Sequence, residues 1–185
     1  MYNPKTGAMN RRGESAFGVP EEYGQQFDDT AEKLRENLSS DQQAMFNQKY
    51  ATHKNEFSET LQRHVFSESV KVDEQNYASL QSNITEDAVR NFQNPGKTES
   101  VIQDKLASIH TRAQQQGWTQ EQIGAEALKE MSNMHRDTID NMVAQGLAPA
   151  AKHYYEHFQD GIDQKDRTWI DKTLKEGTTR HESQV

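Results

Sequence analysis

Apolar residues recur at intervals of three and four along most of this chain, the spacing of one face of a helix. From Pro20 the set is Tyr23, Phe27, Ala31, Leu34 and Leu38. Pro20 suits a first helical turn, and Glu21 and Glu22 follow where the helix dipole favours anions. This first helix is expected to stop near Ser39. Ser40 and Gln43 then read as a capping box, S-x-x-Q, that opens a second helix. No glycine or proline interrupts residues 41–92. Phe46, Tyr50, Phe57, Leu61, Val65 and Val72 fall on one stripe, which Tyr77, Leu80, Ile84, Ala88 and Val89 continue with a shifted phase. The step from Phe46 to Val72 averages about 3.7 residues per turn, nearer the 11-residue repeat than the heptad. A helix of about 50 residues would measure roughly 75 Å. Thr85 can cap a new start at Asn83–Ile84–Thr85, so the pattern fits one helix or two.

Asn94–Pro95–Gly96 marks a turn. Thr98 can cap a third helix carrying Val101, Ile102, Leu106 and Ile109, closed by Gly117. Thr119 and Gln122 form a second capping box, with Trp118 placed to staple onto Ile123. Ile123, Ala127, Leu128, Met131, Met134, Ile139, Met142 and Val143 follow, up to Gly146. A short helix over 148–158 ends at Gly161. Asp163 can cap a last helix with Trp169, Ile170 and Leu174, closed by Gly177.

The pattern therefore predicts an all-α protein with no strand. Residues 1–19 read as a flexible arm, 20–93 as an initial helix and one very long helix, 94–177 as a block of short helical hairpins, and 178–185 as a frayed tail. Helices this thin must pack on other helices or other chains. Phe46, Tyr50, Phe57, Leu61, Val65, Val72, Leu80 and Ile84 are the expected assembly surface. Met131, Met134 and Met142, with Ile139 and Val143, read first as ordinary core; the alternative is a partner groove lined by Met131, Met134, Tyr154 and Tyr155.

Composition changes the picture in one respect. Leu, Ile, Val and Phe make up only 30 of 185 residues, and mean hydropathy is −1.09. That share borders on disorder, and the helical period argues against disorder. The formal charge of −8 makes the chain a poor partner for nucleic acid or an anionic membrane. No apolar run approaches the roughly 18 residues of a membrane span. The first 18 residues are basic without an apolar region, unlike a secretory signal. With no cysteine, disulfides and thiolate zinc sites are excluded.

One string invites a catalytic reading. His153-Tyr-Tyr-Glu156-His157 is H-x-x-E-H, the inverted zinc-protease pattern. Zinc would need a further ligand, and only Glu176 and Glu182 stand downstream as candidates. Without strands to build such an enzyme, the histidines read as surface residues of a helix. His53 and His64 lie about 16 Å apart along one helix, cannot share a metal and read as solvated positions. The acids at Asp28, Asp29, Glu68 and Glu74 read as solvated faces, because a glycosidase needs two carboxylates across a cleft. No nucleophile elbow or phosphate loop is present. The expected protein is not an enzyme and takes no cofactor or metal.

Three stretches resemble a helical module of tailed-phage virion proteins, the internal or ejection proteins, some of which carry a lytic transglycosylase domain elsewhere. They are GESAFGVPEEYGQQFDDTAEKLRENLSSDQQAMFNQKYATHKNEF, RAQQQGWTQEQIGAEALKEMSNMHRDTIDNMVAQG and LAPAAKHYYEHFQDGIDQKDRTWIDKTLKEG. None is a catalytic motif, and the transglycosylase piece has no counterpart. The resemblance implies a non-catalytic virion component, located in the particle and then in the host envelope after infection. Its expected partners are copies of itself or other virion proteins. A soluble helical adaptor for a partner helix or peptide is the alternative.

Overall fold

A computed structural model describes the backbone of residues 7–182 and the side chains as far as Thr179. Among these residues there are six α-helices, three short 3-10 turns and no strand. The helices are α1 (Val19–Arg35), α2 (Ser40–Asn91), α3 (Pro95–Gln116), α4 (Gln120–Ala144), α5 (Ala148–Phe158) and α6 (Gln164–Glu182). The all-α expectation holds, with a very long helix and a C-terminal helical block. Two compact units divide at Tyr77, inside α2, and not at the turn after it. That division falls where the apolar stripe changes phase.

Helix ends follow local chemistry, with informative shifts of register. The second helix is capped one residue earlier than the sequence pattern suggests. The Gln42 side chain accepts from the Ser39 backbone N–H at 2.9 Å, and the Ser39 carbonyl accepts from Gln43 N. Gln43 instead closes α1, its amide donating to the Leu38 carbonyl at 3.1 Å. The helix α2 then runs unbroken through residues 83–85. Thr85 caps nothing there; its hydroxyl accepts from Lys105 Nζ at 3.0 Å. Pro95 and Gly96 belong to the first turn of α3, because Asn94 is the cap and accepts from Lys97 N. Thr98 lies inside that turn and donates to the Asn94 carbonyl. At Thr119 and Gln122 the reciprocal capping box forms as expected. Gly117 and Gly146, at φ of 66° and 79°, end α3 and α4 in the left-handed region that glycine tolerates.

Gly177 does not stop α6. A Cβ placed there would meet Val143 Cγ1 at 2.7 Å and the Ala148 Cβ at 3.4 Å. The residue is glycine because α6 passes close to the end of α4 and the start of α5. The helix continues through Thr178 and Thr179, whose hydroxyls donate to the Leu174 and Lys175 carbonyls. The expected tail is therefore helical as far as Glu182, and residues 183–185 lie outside the described residues.

In the first unit the expected arm is ordered from Gly7 onward; residues 1–6 lie outside the described residues. Ala8, Ala16 and Val19 are buried, and Ala8 and Val19 pack with Leu61 of α2. The arm is held by polar groups on the same face of α2. Glu68 accepts the Gly13 N–H at 2.9 Å, and His64 Nε2 donates to the Arg11 carbonyl at 2.9 Å. In the second unit α4 is central and packs on α3, α5 and α6. One core cluster joins Ile139, Met142, Ala151, Ile162, Ile170 and Leu174. Another joins Ala88, Val101 and Met134.

Candidate functional site

The first unit carries an open aromatic groove. Aromatic rings of α1 and α2 stack against one another. Phe27 stacks on Phe57 at 4.9 Å and on Tyr50 at 5.8 Å, and Phe46 stacks on Tyr50 at 6.3 Å. Asp28 fixes the register of the two helices. It accepts from the Tyr50 hydroxyl at 2.5 Å and from Lys54 Nζ at 2.6 Å. The Lys54 hydrogen bond, then that of Tyr50, holds the Asp28 carboxyl below its ordinary range. Beside this bridge lies a groove of about 500 Å³, lined by Tyr23, Phe27, Leu34, Phe46, Tyr50 and Phe57 among others. Lys49 and His53 also line it. Leu34 is 57% exposed.

The expected assembly stripe is thus largely covered within its own chain. Leu61 is buried, and Phe57 and Val65 pack around it. Val72 is half-buried, lying next to Gly13. Ile84 packs on the cluster of Ala88, Val101 and Met134 in the second unit. Of this stripe only Leu80 is exposed, while Phe46 and Tyr50 are half-buried and line the groove. An intrachain cover was not readable from periodicity, because a stripe looks the same whichever helix it meets.

The expected Met–Tyr groove is not assembled. Met134 is fully buried with Ala88 and Val101, and Met131 packs at the edge of that cluster. Tyr154 packs instead against the cluster around Ile139 and meets His135, whereas Tyr155 lines a shallow cavity with Asp171, Leu174 and Lys175. Tyr154 and Tyr155 both pack on the Ile139 cluster, whereas Met131 and Met134 belong to the Ala88–Val101 cluster.

A buried polar network occupies the second unit and has no counterpart in the sequence reading. Lys105 is fully buried, 3.4 Å from Glu130, and donates to Thr85 and to the Gln81 carbonyl. Burial pushes its amine down, and the Glu130 carboxylate opposes that shift. His135 is buried against Phe158, with Nδ1 2.9 Å from the Tyr154 hydroxyl. Burial first, then the Lys105 charge, pushes the imidazole down to about 4. Burial pushes Tyr154 up to about 12. Ser132 donates to the buried Asp166 and accepts from the Asp163 N–H. The signal for this network was available. Lys105 stands four residues from both Val101 and Ile109, on an apolar face, and His135 stands four from Met131. A polar residue on an apolar stripe announces a buried partner.

These groups are buried or half-buried and pair with one another. They hold helices together, and they present no nucleophile with an adjacent base at an open position. His153, Glu156 and His157 of the H-x-x-E-H string are exposed on α5. His153 is 86% exposed and 3.6 Å from Glu156, and His157 meets the edge of Phe158. Glu176 is paired with Lys172, and the Glu182 side chain lies outside the described residues. Among the described residues no group of three metal-ligating side chains converges. No described helix is long and apolar enough to cross a membrane.

Two further readings need correction. His64 and Glu68, expected to be solvated, are 8% and 3% exposed. Both sit on the Leu61–Val72 face, where the arm covers them. The Lys71 ammonium, then the Gly13 N–H, holds the Glu68 carboxyl below its ordinary range.

Fold and site together define an all-α helical protein with one open aromatic groove described in its first unit. Compared with family models, curated proteins and solved structures, the chain matches none.

Proposed function

We propose that this chain is a non-catalytic structural or ejection component of a tailed-phage particle that works by helical assembly. The three stretches that resemble virion modules support the particle context. The aromatic groove between α1 and α2 carries the assembly reading, because it leaves apolar surface open on a helix pair. The buried ionisable groups of the second unit are used up in holding its helices, which supports a scaffold over an enzyme. Quantitative mass spectrometry of purified particles tests the proposal. Stoichiometric presence supports it, and absence from particles sinks it.

The same groove favours one alternative, a soluble adaptor that receives an amphipathic helix of another protein. Recovery of the chain outside particles, bound in a fixed ratio to one other protein, would establish that reading instead.

A further inference from the structure

We propose that residues 7–18 are a strap that opens as a unit from a folded α2, with Glu68 as its latch. Opening bares His64, Glu68 and Val72 on one face of α2, together with part of Leu61. Only the use of that face in assembly rests on the function proposed above; the opening itself does not.

The strap grips α2 with little apolar surface. Within it Gly7, Ala8 and Ala16 are buried, and its largest apolar side chain, Phe17, stays 45% exposed. An alanine methyl is a small anchor. Val19, the first residue of α1, belongs to the same cluster as Leu61 and marks where the strap ends. The stronger anchors are polar, and both hold the strap by its backbone. Glu68 accepts the Gly13 N–H, and His64 donates to the Arg11 carbonyl, each at 2.9 Å. The charged side chains of the strap add less. The Arg12 side chain is 63% exposed and 3.7 Å from Glu68, and Arg11 meets Glu22 of α1 at 3.4 Å with both side chains open to water. Exposed pairs of that kind hold weakly.

Neither side of this contact needs the other to satisfy its main chain. Helix α2 is unbroken and makes its own hydrogen bonds. The strap folds into two 3-10 turns, in which Asn10 N–H donates to the Gly7 carbonyl and Phe17 N–H to the Glu14 carbonyl. The face left behind is also suited to water. Leu61, His64, Glu68 and Val72 succeed one another along it, so ionisable groups sit between apolar ones. A wholly apolar face would bind its cover through the hydrophobic effect alone. Here a carboxylate and an imidazole regain hydration when the strap leaves. Lys71, 2.7 Å from Glu68 and on the same helix, stays with the carboxylate in the open state. Glu68 thus closes the strap through Gly13 and is kept charged without it.

Amide hydrogen exchange, followed residue by residue by NMR on the full chain, tests the proposal. In the natural protein the Asn10, Gly13 and Phe17 N–H groups are expected to share one protection factor, at least ~10-fold below those of residues 61–65. Glu68→Ala is expected to lower all three by a further ~10-fold, because Gly13 loses its acceptor. Protection over 61–65 and the helix content by circular dichroism are expected to hold, since alanine suits a helix interior. Glu68→Gln keeps an acceptor oxygen and is expected to lower the three by only ~3-fold. Strap amides as well protected as residues 61–65 overturn the proposal, because the strap would then leave only when α2 unfolds. No protection in the strap overturns it as well, because no closed state would exist. Faster exchange at Gly13 alone in Glu68→Ala shows a single hydrogen bond and no latch. Exchange is measured on the chain by itself, so the result separates from the particle test. An opening strap on a chain absent from particles leaves this inference standing and defeats the function; a strap that never opens on a stoichiometric particle protein does the reverse.

Discussion

The two units of this protein use a small apolar inventory differently. The first joins α1 and α2 through stacked aromatic rings and ties its arm down with Glu68 and His64. Its apolar surface is only partly closed. The second packs three helices around α4 and fills the space between them with paired polar groups, Lys105 with Glu130 and Ser132 with Asp166. The rings line an open groove rather than a closed core. Buried ion pairs and hydroxyls close a gap, provided every polar atom finds a partner. Both solutions let a chain with few aliphatic residues fold, and the first leaves an aromatic groove open.

The largest expected effect breaks the first unit alone. Leu61→Asp buries a charge between Ala8 and Val19 and is expected to cost roughly 4 kcal/mol or more. Hydrogen exchange is expected to show lost protection over 19–35 with protection over 120–175 retained. Equal loss in both spans would show that the units do not differ in this way.

Acid is expected to separate the units next. The imidazole of His135 is held near 4 when folded against 6.5 when free, so the unfolded chain binds more protons between those values. Stability from this site is full above pH 6.5 and falls by about 3 kcal/mol as the pH drops to 4. The depressed carboxyls of Asp28 and Glu68 act in the same direction, but only below their free values of 3.8 and 4.5. Denaturant titrations followed by exchange are expected to show the second unit weakening first between pH 6.5 and 4.5. First loss in the arm would refute the assignment.

Gly177→Ala sharpens the account of close packing. Helix propensity alone favours alanine by roughly 1 kcal/mol. The contact with Val143 is expected to reverse the sign and destabilise the second unit by about 1–2 kcal/mol. A raised Tm would show that the helices separate freely there. The smallest effect is expected for His157→Ala, within about 0.5 kcal/mol, since that residue is exposed and keeps only an edge contact to Phe158. A larger loss in thermal unfolding would mark that face as occupied.

Helical class, the long uninterrupted α2 and the Thr119 capping box were determined by the sequence itself, because period, caps and the absence of breakers are local properties. Residues near in sequence decide them whatever the helices later meet. What covers each face was decided only by tertiary structure. Periodicity assigned Leu61 to an open surface, and it is buried by a segment distant in the chain. Gly177 reads as a stop locally and is a close approach of helices in space. Lys105 and His135 read as polar interruptions until their partners, Glu130 and Tyr154, come from other helices. Packing pairs residues across long separations, and a single sequence carries no direct record of those pairs.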